Sequence, residues 1–137
     1  MKTILVGTIS GMPFFLSFLI VALLLVLIGV ITYCRITPYK EMELTKQNNV
    51  SASISLSSTI IAITIPIAFC LATSVNIYDL VIWGFISIIF QIIMFFIMNY
   101  IIKDIRSKIK NDQLAPVIVY SASKISSSAI LAATIVG

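Results

Sequence analysis

The sequence predicts an all-α, multi-pass membrane protein with four transmembrane helices, arranged as two tandem two-helix repeats in parallel orientation. Three observations carry that expectation. Hydrophobic residues fill 60% of the 137 positions and charged residues 10%, with a mean hydropathy of +1.14, whereas soluble domains hold roughly 45–50% apolar and about 25% charged residues. The charges gather in short clusters between long charge-free stretches. A basic connection followed by a small-residue stretch then occurs a second time along the chain. An ordinary soluble fold is excluded, and so is disorder, which needs low hydrophobicity and high charge.

No charge occurs from Thr3 to Cys34, and the apolar run from Phe14 to Tyr33 has the ~20 residues that cross a hydrocarbon layer of about 30 Å. The first span is placed at about 13–34. A cleavable signal peptide is disfavoured, because its apolar region runs about 7–15 residues and ends at a small-x-small site, which does not follow here. Arg35, Lys40, Glu41, Glu43 and Lys46 form the first polar connection, and the second span is placed at 51–73. Pro66 is expected to kink it, since proline leaves a carbonyl without its helical donor. Val75 to Asp79 is taken as a turn, with Asp79 expected to cap a third span at 80–102. Lys103, Asp104, Arg106, Lys108, Lys110 and Asp112 make the second polar connection. The fourth span is placed at 114–135, with Pro116 in its first turn, where proline is tolerated, and Lys124 within it.

Basic residues in short loops set orientation. Both polar connections are basic while the turn between the second and third spans carries no Lys or Arg, so the basic loops are expected in the cytoplasm of a bacterial inner membrane and both termini outside. Lys2 opposes this weakly. The net charge of +4 is assigned to anionic lipid headgroups, which attract such residues at about 1 kcal/mol each, and not to nucleic acid. Cys34 and Cys70 fall at opposite ends of neighbouring spans, too far apart for a disulfide. No histidine is present, which removes the usual imidazole metal ligand and general base. No cofactor or metal is expected.

Sliding the chain by 63 positions, from Asn48 to Asn111, superimposes the two basic connections and the spans around them. The expected units are 1–74 and 75–137, each with two spans, inserted the same way up and related by an axis along the membrane normal. Within each unit the spans differ. The first and third are rich in Leu, Ile and Phe. The second holds Ser51, Ala52, Ser53, Ser55, Ser57, Ser58, Thr59 and Ala62, and the fourth is similar from Ser121 to Ala133. Small side chains let helix backbones approach closely, so these spans are expected to form the packed interior or an oligomer interface, while the bulky pair faces lipid. Hydroxyls lining a polar path are the alternative.

Ile36-Thr37-Pro38-x-x-Glu41-x-x-Leu44, Asn48-Asn49-x-x-Ala52, Ile65-Pro66, Asp79-x-x-x-Trp83-Gly84 and Gln91 together resemble the family called domain of unknown function 350. The resemblance runs from about Tyr33 to the C-terminus. It implies a membrane location, four helices and a duplicated unit, and brings no reaction or substrate. Physical chemistry gives the motif residues structural jobs. Thr37 is expected to cap a helix begun by Pro38, with Glu41 in its first turn, and that helix to run amphipathically into the second span past Asn48 and Asn49 at headgroup level. Gln91, in mid-span, is expected to hydrogen-bond to another helix, and Trp83 to join an outer aromatic belt. The chain departs from the family pattern at Ser58 and Ala62, where glycines are usual, and at Lys124.

Lys124 lies ten residues beyond Leu114, about 15 Å deep at a rise of ~1.5 Å per residue. A charge there costs at least about 2.5–3.5 kcal/mol, so intramembrane ionisable residues are functional candidates. No carboxylate is expected at its depth. Its partners are taken to be Ser121 and Ser128, one turn away on either side, or a hydrated cavity. Catalytic signatures are absent: the glycines form no phosphate loop, and Glu41 and Glu43 do not share a helix face. The chain is not expected to be an enzyme. Two functions follow: a structural or assembly subunit that associates with itself or another membrane protein through small-residue faces, or an oligomeric channel lined by Ser, Thr, Gln91 and Lys124.

Overall fold

The computed structural model describes residues 1–37, 41–102 and 104–136. Six helices follow one another: α1 (Lys2–Ile36), α2 (Glu41–Lys46), α3 (Val50–Thr73), α4 (Ile77–Ile101), α5 (Ile105–Lys110) and α6 (Leu114–Val136). No strand occurs among the described residues. The four long helices are each long and apolar enough to cross a membrane.

Helix α3 is the centre of the bundle. It packs against every other helix, and most extensively against α6. The cause is side-chain size: Ala52, Ser55, Thr59 and Ala62 on α3, and Ser128 and Ala132 on α6, are fully buried, which lets the two backbones close together. The Leu- and Ile-rich helices α1 and α4 flank this pair and leave residues such as Leu23, Leu27, Ile89 and Ile93 exposed, as the division into packed and lipid-facing spans requires. Two glycines permit the closest approaches. A Cβ on Gly84 would stand 2.6 Å from the Leu25 side chain, and one on Gly29 2.8 Å from that of Ile63.

Boundaries differ from expectation at three places. α1 is 35 residues long, not 22, because span length was set by bilayer thickness and nothing in its first twelve residues breaks a helix. Its earliest buried side chain is Phe18. α4 begins at Ile77, and its N-cap is Asn76, whose side chain accepts from Asp79 N at 2.8 Å; Asp79 is a first-turn residue and not the cap. Thr37 closes α1 instead of opening α2, its hydroxyl donating to Tyr33 O at 2.7 Å, while Pro38, Lys40 and Lys103 lie outside the described residues. α3 runs through Pro66 as one helix.

The short helices do not merge into the long ones. Asn48, at φ 66°, turns the chain after α2, and Asp112, at φ 54°, does the same after α5. Both residue types tolerate the left-handed region. Asn49 then caps α3 by accepting from Ala52 N at 3.0 Å, while its amide donates to Ile109 O at 2.9 Å. Asp112 accepts from Ser51 N at 2.8 Å, and that backbone bond holds its carboxyl below the ordinary range. The two connections are thus tied to each other at one end of the bundle. The short helix, the left-handed residue and the start of the next long helix recur 64 positions on, Asn48 corresponding to Asp112, one more than the sequence offset.

Candidate functional site

Five helices converge on Lys124. Tyr33 comes from the last turns of α1, Glu41 opens α2, Ser55 and Thr59 lie one turn apart on α3, Phe95 is on α4, and Tyr120 lies one turn before Lys124 on α6. Lys124 is 0% exposed and Glu41 3%. The ammonium donates to Ser55 Oγ at 2.8 Å, Thr59 Oγ1 at 2.9 Å, and Ser55 O and Tyr33 Oη at 3.2 Å each. It also sits 4.3 Å from the ring centroid of Tyr120, 5.2 Å from that of Tyr33 and 5.5 Å from that of Phe95, where aromatic faces attract a cation. Tyr33 and Phe95 meet edge to face at 5.3 Å, and the Tyr120 hydroxyl bonds to Asn99 Oδ1.

Glu41 completes the cluster. Its Oε1 accepts from Ser55 Oγ at 2.7 Å and from Tyr33 Oη at 3.0 Å. Each of those hydroxyls accepts from Lys124 and donates to Glu41, so ammonium and carboxylate are joined by two one-atom bridges. Such an arrangement satisfies both groups without their direct contact, and offsets part of the several kcal/mol per ion that burial costs. Glu41 Oε2 has no hydrogen-bond partner among the described residues. Burial pushes the Glu41 carboxyl above the ordinary carboxylate range; the Lys124 charge and the Ser55 and Tyr33 bonds pull the other way without cancelling it.

The expectation that no acidic residue shares the depth of Lys124 is therefore corrected. Depth was counted to the backbone, but side chains on a helix lean toward its N-terminus. The Lys124 stem runs back toward the end that carries α2, and Glu41 reaches inward from that end. Ser121 and Ser128 are not its partners. Ser128 donates to Ala62 O, and Ser121 Oγ has no partner among the described residues. Gln91 is 1% exposed, yet both of its amide atoms lack partners among the described residues, where the expected cross-helix bond does not form.

The other motif residues are spread over the bundle. Asn48 and Asn49 shape the α2–α3 connection, Pro66 is buried in α3, and Gly84 receives Leu25. Asp79 and the half-exposed Trp83 border a crevice of about 200 Å³ with Cys70 and Ser74 at the opposite end. Cys34 and Cys70 are both free thiols. Sequence reasoning missed Tyr33, Ser55, Thr59, Phe95 and Tyr120. The signal that marks three of them is spacing: Ser55 and Thr59 share a face, as do Tyr120 and Lys124.

These features define a multi-pass helical membrane protein with one lysine and one glutamate buried together inside a single chain. The chain belongs to the family described as Domain of Unknown Function (DUF350), which it matches over residues 7–135, a longer stretch than the motif from Tyr33 onward. It is similar to the UPF0719 inner membrane protein YjfL of Escherichia coli (strain K12), at 30% identity over 101 residues, covering 74% of this chain and 76% of that protein. The same-named protein of Escherichia coli O157:H7 is similar to the same extent, at 30% identity over 101 residues. No solved structure matches the chain.

Proposed function

We propose that the protein is a non-enzymatic assembly subunit of a bacterial inner membrane, associating with its own copies or with another membrane protein through the outward small-residue face of α6. One observation carries this reading: Lys124 and Gln91 are enclosed within one chain, whereas Ala122, Ser126, Ala129 and Ala133 of α6 stay exposed. Those four residues recur at the spacing of one helix face, and small side chains on such a face favour close helix association in lipid. A channel formed by several copies would lack Lys124 and Gln91 from its lining, because both turn inward.

The inner-membrane location is supported by the relatives in Escherichia coli. An orientation with α2 and α5 in the cytoplasm and both termini outside is supported by the basic residues of the two connections. Duplication into units 1–74 and 75–137 is supported by the recurrence of short helix, left-handed residue and long helix. The test is mass measurement of the purified protein in detergent and in lipid nanodiscs. The wild type should give a multiple of the 15.1 kDa chain, and Ala129→Leu should reduce it to the single chain. A single chain throughout would point away from self-association, and ion conductance in planar bilayers would overturn the assembly reading.

A further inference from the structure

The strongest unexplained feature is a titratable pair split between two kinds of element: Lys124 belongs to a membrane-spanning helix, and Glu41 to a helix of six residues. Of α2, Glu41 alone is buried, while Met42, Glu43 and Lys46 are exposed. α2 is thus held to the bundle by the Glu41 carboxyl and by the half-buried Leu44, which packs on the cluster of Ala52, Ile105 and Ile109. Among the described residues, the titratable and charged groups facing Glu41 from the elements around it are Tyr33 and Cys34 on α1 and Lys124 on α6, with Tyr120 against Lys124. α3 presents the hydroxyls of Ser55 and Thr59, and α4 the ring of Phe95.

We propose that Glu41, Tyr33 and Lys124 form a proton-exchange site that latches α2 to the bundle, closed at acid and neutral pH and released by alkali. The hydrogen bonds fix the route. Lys124 Nζ donates to Tyr33 Oη at 3.2 Å, and Tyr33 Oη donates to Glu41 Oε1 at 3.0 Å. When the ammonium passes a proton to the phenol oxygen, the phenol passes its own proton to the carboxylate. One N–H bond breaks, one O–H bond is exchanged on Tyr33 and one O–H bond forms on Glu41, leaving a neutral amine, phenol and acid. Either form, ion pair or neutral pair, is tolerated in a dry interior.

Loss of a further proton to the medium is not tolerated. It leaves Glu41 as a carboxylate beside a neutral amine, and its Oε2 already lacks a partner. A lone buried charge is strongly unfavourable, and α2, whose other anchor is the half-buried Leu44, carries it out to the headgroup region. The sign agrees with linkage. A docked carboxyl whose affinity for protons is raised by burial favours docking on the acid side, and that preference is lost as pH rises through the raised value. The α2 face is the side from which Glu41 reaches the cluster, and exchange with the medium runs through it. The latch does not depend on the assembly reading.

The experiment is hydrogen exchange of the amides of residues 41–47 in the full chain in phospholipid nanodiscs, corrected for the intrinsic effect of pH. In the wild type, protection should fall about tenfold between about pH 5 and about pH 9. In Glu41→Gln, whose amide oxygen still accepts from Ser55 and Tyr33, protection should stay flat. In Lys124→Met, where the ion pair is no longer available, the fall should move to lower pH. Infrared spectra of the wild type supply a second readout: a carboxylic acid band that titrates above about pH 5, where exposed carboxylates are already ionised, and that Glu41→Gln lacks in the same range. A flat wild-type profile, an equal fall in Glu41→Gln, or a carboxylic acid band titrating above about pH 5 that persists in Glu41→Gln would each overturn the proposal.

Discussion

The two ends of the bundle are held together by different chemistry. At the end that carries α2 and α5, ammonium, carboxylate, hydroxyls and aromatic faces interlock around Lys124, beside a small apolar cluster of Ala52, Ile105, Ile109, Val117 and Tyr120. Toward the opposite end the core is Phe18, Ala22, Leu25, Ile63, Ile67, Leu80 and Ile88, closed by the approach of Leu25 to Gly84. Apolar packing tolerates substitutions that keep volume, and it is indifferent to pH. A buried polar network is specific and fails when one member is lost. One end of the protein is therefore built to hold, and the other to respond.

The largest effect expected from breaking that contrast is at Lys124. Lys124→Met leaves the Glu41 carboxylate buried without its cation and should cost about 3–5 kcal/mol, measured by unfolding in mixed micelles, with the loss smaller at acid pH, where Glu41 is protonated. At the apolar end, Gly84→Ala pushes a methyl group into Leu25 and should cost about 1–3 kcal/mol, equally at every pH, with Leu25→Ala relieving part of the clash. Tyr33→Phe removes one of the two bridges and should cost about 1–2 kcal/mol, and it should weaken the pH response that the wild type shows. The smallest effect has the opposite sign. Gln91→Leu replaces an amide with both atoms unpartnered and should stabilise by about 1 kcal/mol, seen as a raised midpoint in thermal unfolding.

The contrast also divides what the sequence reveals from what it conceals. The spans were legible because hydropathy needs only a window of neighbours, and α3 and α6 fall within a residue of their expected bounds. The start of α1 was not, since bilayer thickness limits a span and not a helix. Gly84 appeared in the motif, but its partner Leu25 lies on another helix. Lys124 stood out as a charge inside an apolar stretch, and Glu41 as part of a motif, yet their association was hidden. It arises from a chain separation of more than eighty residues, from the lean of a lysine toward its helix N-terminus, and from a short helix whose docking no periodicity signals. Asn76 was passed over for Asp79 because a carboxylate suits a helix N-terminus equally well from the first turn.

The central claim is that Lys124 and Glu41 act as one unit across the Ser55 and Tyr33 bridges. A double-mutant cycle on unfolding free energy at neutral pH, using Lys124→Met, Glu41→Gln and their combination, tests it most directly. Coupling of about 1–3 kcal/mol is predicted, the double variant recovering much of the stability that Lys124→Met loses. Additive losses, with no coupling between the two sites, would contradict the account.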